Sequence, residues 1–153
     1  MVAQASEWPR VRVAALLLED GKVVVVRHRS AGKPYHLLPG GGVDYRETLE
    51  AALMREVLEE TGFVVRIGDL LFVNDTIDPS GPRHVVNITF SAEVVGGALT
   101  SAPDDDNVEA VELIVPDALL DLDLRPPMAT EIVRVLAGET TTGYLGPLFT
   151  AGR

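Results

Sequence analysis

Three glutamates, Glu56, Glu59 and Glu60, fall three and four residues apart in the stretch "REVLEETGF". At about 100° per residue on a helix they share an arc of roughly 100°. Met54, Val57 and Leu58 lie on nearly the opposite side and are expected to anchor the helix. Like charges at these spacings each cost about a few tenths of a kcal/mol, and anions near a helix C-terminus oppose the macrodipole. Nothing in local helix stability favours the arrangement, so a bound cation is the compensation it points to. Carboxylate oxygens are hard ligands suited to Mg²⁺ or Mn²⁺. A solvated acidic face, with Arg55 paired to Glu59 at i,i+4, is the plainer account of such a cluster taken alone.

The elements around this helix can be read from pattern. Asp44-x-x-Glu47 has capping-box spacing, with Asp44 as the expected N-cap, and Gly62 suits the left-handed residue that ends a helix. Glu47 lies about two and a half turns before Glu56, so capping or support suits it better than ligation. Upstream, the apolar runs Val11–Glu19 and Lys22–Arg29 flank Asp20-Gly21 and predict an antiparallel hairpin buried on both faces. "SAGKPYH" reads as a loop and "LLPGGG" as a short extended piece, whose glycines let backbone approach a metal or phosphate closely. Strands are expected over Val64–Asp78 and His84–Val95, joined by the turn "PSGP", and over Val108–Val115. Pro116–Leu122 and Met128–Leu136 read as helices, and 138–153 as an irregular tail pinned by Leu145, Leu148 and Phe149. Interleaved helices and hairpins imply an α/β architecture with a mixed sheet between helices.

The whole chain has 153 residues, 46% of them hydrophobic, which is enough for a single domain spanning 1–153 with its core at about 11–137. A net charge of −10 argues against a nucleic-acid partner, which needs a basic footprint. There is no cysteine, hence no disulfide framework, and no apolar run of membrane-spanning length. A cytoplasmic protein without a membrane partner is the expectation. Cations that could meet phosphate cluster in "RHRSAGK": Arg27 and Arg29 share one strand face, His28 takes the other, and Lys33 follows. Arg83, near the "PSGP" turn, is a further candidate. From Val85 to Leu124 the chain carries nine acids and no Lys or Arg.

Reading outward from the acidic helix end, Gly41, five residues, Glu47, seven residues and then Arg55-Glu56-Val57-Leu58-Glu59-Glu60-Thr61-Gly62-Phe63 match the signature box of the Nudix hydrolase family at every defined position. The order of elements from Val11 to about Leu136 is similar to the Nudix α/β/α sandwich. The resemblance implies metal-dependent hydrolysis of a diphosphate bond in a nucleoside diphosphate linked to another moiety. It makes Glu56 and Glu60 principal metal ligands, Glu59 a direct or water-mediated one, and the backbone carbonyl near Gly40 a fourth. Arg55 would hold the carboxylates in place, and Gly41 would admit the substrate. The base that takes a proton from the attacking water is not fixed by the box; Asp104, Asp105, Asp106 and Glu109 lie in the appropriate region, with Glu109 and Asp106 ranked first.

Pro79, sixteen residues past Phe63, resembles a marker of the ADP-ribose pyrophosphatase group, although a hairpin turn asks for proline equally. ADP-ribose or a similar nucleotide sugar is therefore the leading substrate. A MutT-like sanitiser of nucleoside triphosphates and a non-catalytic nucleotide sensor are the alternatives. The resemblance also implies a homodimer.

Overall fold

A computed structural model describes residues 8–100, 102–140 and 143–150. Strand β1 (Arg10–Glu19) turns at Asp20-Gly21 into β2 (Lys22–Ser30). Both turn residues have positive φ, 51° and 73°, as a tight two-residue hairpin requires. The two strands pair only at Leu18↔Val23 and Glu19↔Lys22, and then part company. From there β1 enters a sheet with β4 (Gly40–Gly42), β5 (Phe63–Ile77), β6 (His84–Gly97) and β8 (Tyr144–Pro147). Strand β2 pairs instead with β3 (Lys33–Leu37) and β7 (Ala110–Ile114). The β1–β6 and β5–β8 ladders are parallel and the others antiparallel, so the sheet is mixed.

The continuous apolar run of β1 is explained by what covers each face. Val13, Ala15 and Leu17 point to helix α1 (Leu49–Thr61) and pack with Ala52, Leu53 and Val57. Ala14 and Leu16 point the other way, to Leu119 in the 3₁₀ helix Pro116–Asp121 and to Met128 and Ile132 at helix α2 (Ala129–Leu136). With both faces covered, a period-2 polar alternation would bury polar groups. The α/β architecture, a mixed sheet between helices, is as expected from sequence.

Four local expectations are corrected. The segment read as the loop "SAGKPYH" is mostly β3, reached through a two-residue turn at Ala31 and Gly32 with φ of 50° and 76°. Part of the tail forms β8, which lies parallel to β5 and sends Leu145 and Leu148 against the core; Phe149 is exposed. In α1 the anchoring stripe is Ala52, Leu53 and Val57, while Met54 and Leu58 are 44% and 50% exposed. Its N-cap is Thr48, whose hydroxyl accepts from the Ala51 N–H at 3.1 Å, not Asp44. No helix among the described residues is long and apolar enough to cross a membrane.

Candidate active site

The floor of the site is where the end of α1 meets the glycine strand β4. Gly40 donates its N–H to Glu60 Oε1 at 2.7 Å. A Cβ on Gly40 would lie 2.0 Å from the Val13 carbonyl oxygen, and one on Gly41 would lie 2.3 Å from the Glu56 carboxyl carbon. At Gly40 the clash is with backbone that cannot yield, and at Gly41 a side chain would displace the Glu56 carboxylate from its place. Gly62 ends α1 in the left-handed conformation at φ 83°, returning its N–H to the Leu58 carbonyl.

Burial sets the electrostatics. Glu60 is 2% exposed, and desolvation pushes its pKa up to about 8; the Gly40 hydrogen bond and Arg12 pull it down, while Glu56 and Asp105 add to the rise. Glu56 is raised by burial as well, against the opposing pull of Arg55. Arg55 is the hub beneath them. It reaches Glu47 through Nε at 2.9 Å and Nη2 at 2.8 Å, Glu56 Oε1 through Nη1 at 2.8 Å, and the Gly42 carbonyl at 3.3 Å. Glu47 is held down to about 2, chiefly by its hydrogen bonds from Arg55. It also accepts from the Asp44 N–H at 3.1 Å, so it supports the helix entrance while it fixes Arg55. The Arg55–Glu59 contact expected at i,i+4 is present but long, 3.7 Å.

Above this floor opens a cleft of about 720 Å³. Gly40, Gly41, Glu56 and Glu60 line it, as do Arg83 and the unranked Asp105. Glu59 is not among the lining residues. Arg27 and Arg29 are absent from it too: both bind Glu109, at 3.0 Å each, and Arg27 also binds Glu112 at 2.6 Å. Glu109 is correspondingly held below the usual carboxylate range, first by its hydrogen bond from Arg29. Lys33 and Asp106 are exposed and outside the lining. Of the downstream acids expected to serve as base, Asp105 lines the cleft whereas Glu109 is held by Arg27 and Arg29, and on β2 it is His28, on the face opposite those arginines, that reaches the cleft. Pro79 lies in the β5–β6 turn, where Pro82 and Arg83 reach the cleft instead.

Sequence reasoning missed Arg10, Arg12 and Tyr35, which also line the cleft. For the arginines a signal existed: they stand at i and i+2 on β1, on the same face as Ala14 and Leu16. Among the described residues no three His, Cys, Asp or Glu side chains form a ready-made metal cluster. The donor chemistry nevertheless fits a hard divalent cation, because Glu56 and Glu60 are desolvated, repel each other and present only oxygen.

Comparison with known proteins bears on this geometry. The profile of the NUDIX domain matches residues 8–136. An ADP-ribose pyrophosphatase from Methanocaldococcus jannaschii is 34% identical over 106 residues, covering 69% of this chain and 63% of that protein. A NUDIX hydrolase from Nitrosomonas europaea superposes with a TM-score of 0.74 at 25% identity, covering 87% and 92% of the two chains. The MutT NUDIX hydrolase from Burkholderia pseudomallei is 32% identical with a TM-score of 0.64, covering 88% and 100%.

Proposed function

The chain belongs to the NUDIX domain family, and from that premise we propose that it hydrolyses the diphosphate bond of a nucleoside diphosphate linked to another moiety, with ADP-ribose the leading substrate, as a divalent-cation-dependent homodimer. The observation that carries this reading is the pressing of Glu56 and Glu60 onto the glycine strand at the floor of an open cleft. Two desolvated carboxylates held against bare backbone are costly unless a cation and an anionic ligand share the site.

In this reading Glu56 and Glu60 hold the cation, with the backbone near Gly40 beside them. A bound Mg²⁺ or Mn²⁺ would neutralise charge on the phosphoryl oxygens and acidify the attacking water. The chain's own contributions are positional. Gly40 fixes one oxygen of Glu60, and Arg55, itself fixed by Glu47, orients Glu56. Asp105 lines the cleft near enough for its charge to act on Glu56 and Glu60, and in this reading it accepts the proton of the water that attacks phosphorus. The phosphoanhydride P–O bond breaks as the new P–O bond forms, and ADP-ribose yields AMP and ribose 5-phosphate.

The name of the Methanocaldococcus relative supports the choice of ADP-ribose. A MutT-like action on nucleoside triphosphates is the second reading, supported by the Burkholderia structure, which is matched over its full length. Purified protein with Mg²⁺, assayed against ADP-ribose, NADH, diadenosine polyphosphates and nucleoside triphosphates, separates them by product. Glu60→Gln should lose turnover by more than about a hundredfold, exceeding the usual loss from an outer-sphere partner. A protein that turns over none of these substrates, and whose Glu60→Gln variant binds nucleotide as well as the parent, would be a sensor instead.

A further inference from the structure

The arginines of this acidic chain divide by what they touch. Arg27, Arg29, Arg55, Arg66, Arg125 and Arg134 all bind carboxylates. Arg10, Arg12, Arg46 and Arg83 have no carboxylate ion pair among the described residues, and of these Arg10, Arg12 and Arg83 line the cleft. Strand register explains how they meet: Arg12 pairs with Asn87 and Arg10 with Val85 in the parallel β1–β6 ladder, so both point to the same side of the sheet, beside the turn that carries Arg83. Arg12 is tied down by its bond to the Leu38 carbonyl at 2.9 Å. Its basicity is lowered first by burial and then by the like charge of Arg83, with Glu60 and Glu56 acting the other way. Arg12 therefore stands between the carboxylate end of the cleft and the end lined by Arg83.

A recess of about 50 Å³ continues this cationic end. Arg12 and Arg83 line it together with Asn87 and Arg125. Arg125 is oriented twice over, by two bonds to Asp123 at 3.1 and 2.9 Å and by stacking 4.3 Å above the Tyr35 ring. Leu148, Phe149 and Thr150 close the far wall, held there by the Leu148 N–H to the Asp75 carbonyl at 2.7 Å and the Thr76 hydroxyl to the Leu148 carbonyl at 3.1 Å.

Arg12 and Arg83 stand close without an ion pair of their own, and Arg125, whose guanidinium is shared with Asp123, joins them at the recess, so the recess keeps a net positive charge that an anion offsets. A diphosphate at the carboxylate end would already be neutralised there by a cation. We propose that Arg12, Arg83 and Arg125 form a separate phosphate subsite, which takes a phosphomonoester carried by the substrate beyond its scissile diphosphate. This rests on the diphosphatase reading and narrows it to substrates with one more phosphate. The phosphate has two possible sources, the terminal phosphate of a nucleoside triphosphate or a phosphate on the sugar of a nucleotide sugar. Guanidiniums in a fork suit either, since they recognise the phosphate oxygens themselves.

The test compares analogues that differ by one phosphate. With Mg²⁺ present, calorimetry on the full chain should show α,β-methylene-ATP binding at least about tenfold tighter than α,β-methylene-ADP, the scale of a charge-assisted pair. In Arg83→Ala, whose side chain is exposed at a turn, and in Arg125→Ala, the ratio should fall below about threefold. Turnover assays assign the source, by preference for ATP over ADP or for ADP-ribose 1″-phosphate over ADP-ribose. Equal affinity for the two analogues together with no preference for ADP-ribose 1″-phosphate in the parent protein, or a ratio that survives both substitutions, overturns the subsite. Loss of all turnover with the binding ratio intact would defeat the diphosphatase reading alone; turnover with neither a ratio nor a preference would defeat the subsite alone.

Discussion

Arg55 touches neither the cleft nor any reacting group, yet it joins Glu47, Glu56 and the Gly42 carbonyl in one fan of hydrogen bonds. Its role is positional, and its planar fork is what a lysine cannot reproduce. Arg55→Ala and Arg55→Lys should both lower kcat about ten- to a hundredfold, as loss of an outer-sphere partner does, with a smaller change in KM. A KM effect alone in steady-state assays would show that Arg55 meets the substrate instead. Glu60 makes a second prediction. Its carboxyl is raised to about 8 from an ordinary value of 4.5, so between those values the folded state holds a proton that the unfolded state has released. Stability therefore falls as pH rises through this window. In chelator, the melting temperature should drop from pH 5 to pH 8.5, and Glu60→Gln should flatten that slope. Added Mg²⁺ should restore stability at the alkaline end, and a flat profile in the parent would refute the assignment.

At the scale of elements, α1 shows how a helix can be positioned correctly and anchored differently from expectation. Leu53 is fully buried whereas Met54 is 44% exposed, so Leu53→Ala should cost about 2–5 kcal/mol in chemical denaturation and Met54→Ala well under that. Thr48→Ala should cost about 1 kcal/mol and Asp44→Ala less, because Thr48 is the cap. The hairpin at Asp20-Gly21, the left-handed Gly62 and the long β5–β6 pair were legible, since each carries its own local chemistry. Strand β3 was not, because Ala31 holds a positive φ that alanine rarely adopts. Strand β8 was equally hidden: its four residues include a glycine and a proline and gain their partner only from β5, about seventy positions away.

For the molecule as a whole, the carboxylate end of the cleft was readable because Gly40, Gly41, Glu56 and Glu60 lie within one short stretch. The cationic end was only half legible: Arg10 and Arg12 share a strand face at i and i+2, but no local pattern announces the parallel ladder that sets Arg12 beside Asn87. Arg27 and Arg29 looked equally suitable until β7 placed Glu109 and Glu112 against them. The homodimer is tested most directly by light scattering at micromolar concentration, where a mass of twice 16.4 kDa is expected and a monomer contradicts it. The two ends of the cleft also differ in what holds them. One is built from the glycine strand and α1, where a single added methyl collides with backbone or carboxylate; the other is finished by a short closing strand, secured through Leu148. One jaw is therefore set by backbone clearance, which a single side chain can spoil, and the other by side-chain and closing-strand contacts that can be altered one at a time without disturbing the first.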